Sequence, residues 1–144
     1  LVKLLDYFVK QLDYLPEGID MPVVREHDAV AHQLHGATFN SFVAPSSGST
    51  ELCAWRLEVA AGTTGVPHRV SREEVLLIMS GEVTVSIDGV VSALRPGEVA
   101  FVPAGAMFGL DNASGVPATA WVTTSVGLEA TLPDGSSISP PWVR

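Results

Sequence analysis

The sequence predicts an all-β fold, a barrel or sandwich of many short strands, and three observations carry that prediction. Thirteen glycines and ten prolines are spread along 144 residues, which suits a chain that turns often. From Pro22 onward, short apolar and β-branched runs alternate with turn-forming clusters. In residues 51–59 a period of two sets Cys53, Trp55, Leu57 and Val59 on one face and Ala54, Arg56 and Glu58 on the other, the alternation of a strand with one side in a core.

Taken in order, residues 1–15 stand apart. Leu1, Leu4, Leu5, Phe8, Leu12 and Leu15 recur at helical spacing with Lys3, Asp6, Lys10 and Asp13 between them, predicting one short amphipathic helix that ends at Pro16-Glu17-Gly18. The stretch lacks the basic start, continuous apolar run and small-residue cleavage site of a signal peptide. Residues 1–20 read either as a helix packed on the domain or a partner, or as an extension; residues 21–144 read as one domain. Strands are expected at Thr38–Ala44 and Glu51–Val59, separated by the loop-forming Pro45-Ser46-Ser47-Gly48-Ser49-Thr50. Val75–Met79 is a short apolar run closed by Ser80-Gly81. Glu82–Ile87 and Val90–Leu94 flank Asp88-Gly89, a pair that favours a two-residue hairpin turn. Val99–Val102, Met107–Leu110 and Ala118–Thr124 complete about eight or nine strands.

Composition narrows the function. Hydrophobic residues make up 47% and charged residues 17%, the balance of a globular domain rather than a disordered chain. The net charge of −8 and the lack of clustered Lys and Arg argue against a nucleic-acid partner. No apolar run approaches the roughly 18 residues of a membrane-spanning helix. Cys53 is the single cysteine, so no intramolecular disulfide forms, a reducing cytoplasm is the expected location, and buried packing is its expected role.

Two motifs carry the chemistry. The first runs Gly62, His68, Val70, Glu74, Gly81; the second runs Gly97, Pro103, Gly105, Phe108, Asn112. Together they resemble the two motifs of the cupin superfamily: Gly, five residues, His, one residue, His, three or four residues, Glu, six residues, Gly; then Gly, five residues, Pro, one residue, Gly, two residues, His, three residues, Asn. Val70 stands where the second His belongs and Phe108 where the third belongs. The resemblance covers Val59 to about Thr124 and implies a double-stranded jelly-roll β-barrel, with a homodimer as the expected assembly. The broader run from Phe42 to Arg144, with Trp55-Arg56, Arg72-Glu73-Glu74 and Pro140-Pro141-Trp142, is similar to small actinobacterial-type cupins of secondary metabolism.

In metal-binding cupins the three His and the Glu converge on one divalent cation. Valine and phenylalanine donate nothing, so the expected cofactor is none. A divalent metal remains possible only through His68 and Glu74 with replacement donors, His35 or His32. His27, between Glu26 and Asp28, reads as solvated. By the resemblance, His68 and Glu74 lie close together, and without an ion they are expected to hydrogen-bond as an acid–base dyad. Val70, Phe108, Trp55 and Leu76 are expected as apolar walls around them, with Trp55 and Trp121 placed to stack on a planar ligand. Arg56 is expected at the surface, Glu73 outside and paired with Arg69 or Arg72, Asn112 in structural hydrogen bonds, and Trp142 folded back over a barrel edge. The expected function is a cyclase, isomerase or dehydratase acting on a small, partly aromatic or polyketide-like metabolite. A non-catalytic carrier or sensor barrel and a dioxygenase-like metalloenzyme with replacement ligands are the alternatives.

Overall fold

The computed structural model describes residues 2–6 and 23–144. Residues 2–6 are helical, with Val2, Leu4 and Leu5 exposed; the rest of the helix expected over 1–15, and most of the 1–20 segment, lies outside the described residues. No helix among the described residues is long and apolar enough to cross a membrane.

Twelve strands follow: β1 (Val30–Leu34), β2 (Ala37–Val43), β3 (Leu52–Val59), β4 (His68–Val70), β5 (Glu74–Ser80), β6 (Val83–Ile87), β7 (Val90–Leu94), β8 (Val99–Val102), β9 (Met107–Asp111), β10 (Ala118–Ser125), β11 (Ala130–Thr131) and β12 (Ser137–Ile138). They form two six-stranded antiparallel sheets in the orders β1-β2-β3-β10-β5-β8 and β12-β11-β4-β9-β6-β7. This is a jelly roll, in which two faced sheets hide the inner side of their central strands. The alternation in β3 holds: Cys53, Trp55, Leu57 and Val59 are buried inside. In β5 Glu74, Leu76 and Ile78 point in, while Val75, Leu77 and Met79 point out.

The turn chemistry explains the connections. Asp88 and Gly89 adopt φ of 48° and 82° between β6 and β7, the left-handed pair that a two-residue hairpin needs. His35 and Gly36 do the same between β1 and β2, at 49° and 78°. Gly81 turns from β5 into β6 with φ 75°, and a Cβ there would lie 2.6 Å from the Pro117 carbonyl oxygen, so the position has no room for a side chain.

Asn112 is fully buried and fastens the loop after β9. Its Nδ2 donates to the carbonyls of Val59 (3.2 Å) and Val116 (2.8 Å), and its Oδ1 accepts from the Ser114 amide and hydroxyl. At the carboxyl end Trp142 folds back onto β2. Its ring stacks on Phe39 with centroids 3.7 Å apart and planes 13° from parallel, and Ser41 Oγ donates to its carbonyl. Cys53 is free and sealed in the core, with its Sγ 3.7 Å from the Val143 carbonyl; burial pushes its thiol up, away from nucleophile behaviour.

Candidate functional site

The inner faces leave a cavity of about 290 Å³. β4 brings the first functional group. His68 and Val70 face inward and Arg69 outward, where its Nη1 donates to the Gly105 carbonyl. β4 lies between β9 and β11, in a register that sets His68 opposite Phe108 and Val70 opposite Ala130. The His68 and Phe108 rings therefore meet edge to face, 5.8 Å apart at 90°. The Phe108 side chain occupies the ground beside His68 where another imidazole would complete a ligand set.

His68 Nδ1 lies 2.9 Å from the Val66 carbonyl oxygen. A carbonyl only accepts, so Nδ1 carries the proton and, in the neutral ring, Nε2 holds the lone pair. This bond replaces the one expected to Glu74. His68 and Glu74 line the same cavity, but no hydrogen bond or ion pair joins them. The expected dyad is corrected to two separate groups, because the short β4 strand commits the imidazole to its own backbone.

Glu74 opens β5, flanked in register by Thr124 on β10 and Val102 on β8. Both neighbours are buried, and the Thr124 hydroxyl is already spent on the Glu73 carbonyl. Glu74 is only 6% exposed, and among the described residues its carboxyl has no hydrogen-bond partner. Desolvation pushes its pKa up from 4.5 to about 7. The group thus exchanges its proton near neutrality, facing an apolar space.

The rest of the wall is aromatic and aliphatic. Trp55, Leu76 and Phe108 line the cavity as the sequence suggested. Val70 and Trp121 do not. Val70 is packed behind the wall against β11, only 1% exposed. Trp121 sits on the outer face, because β10 sends Ala118, Ala120, Val122 and Thr124 inward and its alternate residues out. There its ring tilts against Phe42 at 5.3 Å, so Trp55 and Trp121 cannot grip one ligand. Arg56 is on that outer face too, with Nη1 2.9 Å from Glu26 and Nε 3.3 Å from Glu58. Glu73 is exposed, but no ion pair to Arg69 or Arg72 forms.

Sequence reasoning missed Phe39, Leu128, Ala130, Leu132 and Pro140, which supply much of the wall, and the Phe39–Trp142 stack that closes one side. The signal available was Pro140-Pro141-Trp142, which turns an aromatic ring back at the end of the chain. His35 lines the cavity at the β1–β2 turn, whereas His32 lies along β1 with its ring 6.4 Å from Trp142 and does not line it. His27 is exposed beside Asp28.

The family's divalent metal needs three or four convergent N or O donors. Among the described residues no three of His, Cys, Asp and Glu come together. The donor set, His68 and Glu74 with Val70 and Phe108 at the other two places, does not fit that ion.

Two antiparallel six-stranded sheets around a cavity reached by both motifs define a cupin-type jelly-roll barrel. The cupin domain model matches residues 55–124, and this match together with the fold supports a member of the cupin superfamily. The fold is similar to that of the polyketide cyclase RemF from Streptomyces resistomycificus, with 20% identity, 73% of this chain and 79% of that chain covered, and a TM-score of 0.66. It is similar also to an RmlC-like cupin from Shewanella frigidimarina (20% identity, 74% and 91% covered, TM-score 0.63). A cupin sugar phosphate isomerase from Silicibacter pomeroyi gives 16% identity, 78% and 82% coverage and a TM-score of 0.65. A search of curated proteins returned no significant match to the sequence.

Proposed function

We propose that the protein is an acid–base enzyme of the isomerase, cyclase or dehydratase type, acting on a compact, largely apolar metabolite within the barrel. The observation that carries this reading is Glu74: a buried carboxyl without a protein partner, facing an apolar cavity and exchanging its proton near pH 7. Such a pKa suits a general acid or base at neutrality. His68 complements it, since its Nε2 lone pair takes a proton while protonated Glu74 gives one. That pairing serves proton relocation, loss of water and ring closure alike. A cavity of about 290 Å³ lined by Phe39, Trp55, Phe108 and Trp142 is at the lower end of the roughly 300–1,000 Å³ of small-molecule sites, which favours a partly aromatic substrate of few rings. The resemblance to a polyketide cyclase and a sugar phosphate isomerase adds support at the level of the fold. We propose a homodimer as the working form, in a reducing cytoplasm that suits the free, buried Cys53.

Fluorescence titration against aromatic and polyketide-like compounds would first identify binders, and their turnover would be compared in native protein, Glu74→Gln and His68→Ala. Loss of a general acid–base group lowers the rate about 10²–10⁴-fold. Turnover indifferent to both substitutions sinks the assignment. A binder recovered unchanged from native protein moves the reading to a carrier.

A further inference from the structure

The loop between β3 and β4 runs along β9 one residue out of step. Thr63 bridges Asn112, whose amide donates to the Thr63 carbonyl at 2.8 Å, and His68 pairs with Phe108. Between those two ties the loop has residues 64–67, whereas β9 has only residues 109–111, so one loop residue is extra, as at a β-bulge. Gly65 takes up the mismatch. Its backbone lies so close to β9 that a Cβ would strike the Leu110 carbonyl oxygen, and its amide donates to Asp111 Oδ1 at 2.8 Å. The chain beyond it is stiff. Pro67 fixes its own φ and keeps Val66 extended, which leaves the glycine as the freest link before His68. Among the described residues, residues 64–67 take part in two hydrogen bonds: the Gly65 amide to Asp111, and His68 Nδ1 to the Val66 carbonyl.

We propose that Asp111 is a positioning residue for His68: by anchoring Gly65 it sets the Val66 carbonyl where it holds the imidazole in the Nδ1–H form, with the lone pair on Nε2. Asp111 acts from outside the cavity. On β9 Phe108 and Leu110 line the space, and Asp111 does not. A carboxylate is a stronger acceptor for an amide than a carbonyl is, which suits a single bond that must hold a glycine. Without it, the bond from His68 to Val66, only two residues away, depends on a loop free to turn. The imidazole then relaxes toward Nε2–H, the tautomer favoured in water, and offers a donor where a base is needed. The inference rests on the acid–base reading for its relevance to turnover, but it is tested on the imidazole alone.

The native protein has four histidines. Long-range proton–nitrogen NMR, recorded above the ordinary imidazole pKa, reports the tautomer of each, and His68→Ala assigns the one needed. His68 should be Nδ1–H in native protein. In Asp111→Ala the ratio of Nδ1–H to Nε2–H should fall about three- to tenfold, the size of one hydrogen bond, while exposed His27 stays unchanged as an internal standard. Asp111→Val, a good strand former without an acceptor, should behave as the alanine variant does. Asp111→Asn, which keeps an acceptor oxygen, should hold the native ratio. An Nε2–H His68 in native protein overturns the proposal, as does an unchanged ratio in Asp111→Ala and Asp111→Val. A fall in Asp111→Asn equal to that in alanine overturns it too, because the acceptor would then not be what matters. Should neither apolar variant fold, native protein decides through its tautomer and through a coupling across the hydrogen bond from the Gly65 nitrogen to the Asp111 carboxyl carbon, and the lack of either overturns the proposal. Turnover lost in His68→Ala, with the tautomer ratio indifferent to Asp111, would leave the acid–base reading standing and this one fallen. A ratio that answers Asp111 in a protein that turns nothing over gives the reverse.

Discussion

Replacing Glu74 by glutamine should make the protein's stability less sensitive to pH, by an amount the burial of that side chain sets. In the unfolded chain the carboxyl ionises near 4.5; in the native barrel desolvation holds its proton to about 7. Between those values the native state binds more protons than the unfolded state, so stability falls as pH rises through the window and stays low above it. One pKa step corresponds to about 1.4 kcal/mol, and the displacement from 4.5 to about 7 gives roughly 3 kcal/mol lost between pH 4 and pH 8. Glutamine never ionises, so Glu74→Gln lacks this slope while keeping the shape. The difference between the two proteins cancels titrations they share. Cys53 does not intrude, since burial raises its thiol above an ordinary value of 9.0. Urea unfolding followed by tryptophan fluorescence at intervals from pH 4 to 8 measures the effect. Relative to native protein, Glu74→Gln should gain roughly 3 kcal/mol across that range, about 6–12 °C in Tm for a chain of this size. Parallel curves would mean that Glu74 ionises normally, and both its desolvation and its acid–base role would fall.

Two further outcomes are expected. Restoring imidazoles with Val70→His and Phe108→His should create a metal site beside His68 and Glu74, visible as a nickel- or zinc-dependent rise in thermal stability of about 3 kcal/mol at a hundredfold excess over Kd; no response would show that the inward directions on β4 and β9 are not those of a metal-binding cupin. The outer faces of β5 and β8 expose Val75, Leu77, Met79, Val99 and Phe101, with Val75 opposite Phe101 and Leu77 opposite Val99, an apolar patch suited to packing on a second copy of itself; Leu77→Glu with Phe101→Glu should shift the mass in sedimentation velocity from dimer to monomer, and an unchanged mass would remove this face from the assembly.

The parts of the fold visible in the sequence are those fixed by local chemistry. The alternation of Cys53, Trp55, Leu57 and Val59 marks a half-buried strand because every second side chain must enter the core. Asp88-Gly89 marks its hairpin because few residues accept the left-handed backbone. The strand β1 escaped notice, since Val30–Leu34 is mostly exposed and is ordered by pairing with β2 rather than by its own pattern. β11 and β12 are two residues each and exist through partners distant in sequence. Trp121 was assigned to the wrong face for a plain reason. Its size and aromaticity suggested a pocket wall, but its set in β10, with Thr119, Thr123 and Ser125, is the polar one and faces out, while Ala118, Ala120 and Val122 go inside. The residue types of the site were legible, but not the hydrogen bond from His68 to Val66. That bond depends on how one short strand enters the sheet.

The composition of the cavity wall divides the chain in an unequal way. Trp55, His68, Glu74, Leu76, Phe108 and Val122 fall within the stretch matched by the cupin domain model, residues 55–124. His35, Phe39, Leu128, Leu132, Pro140 and Trp142 fall outside it, on the first hairpin and the final segment. His68 and Glu74 and much of the apolar wall thus belong to separable lengths of polypeptide. An insertion or substitution in the β1–β2 hairpin or after β10 can recut the outline of what is admitted while Glu74 keeps its buried neighbours on β8 and β10. For an engineer, those two terminal stretches are the place to diversify a library, with the central barrel held constant.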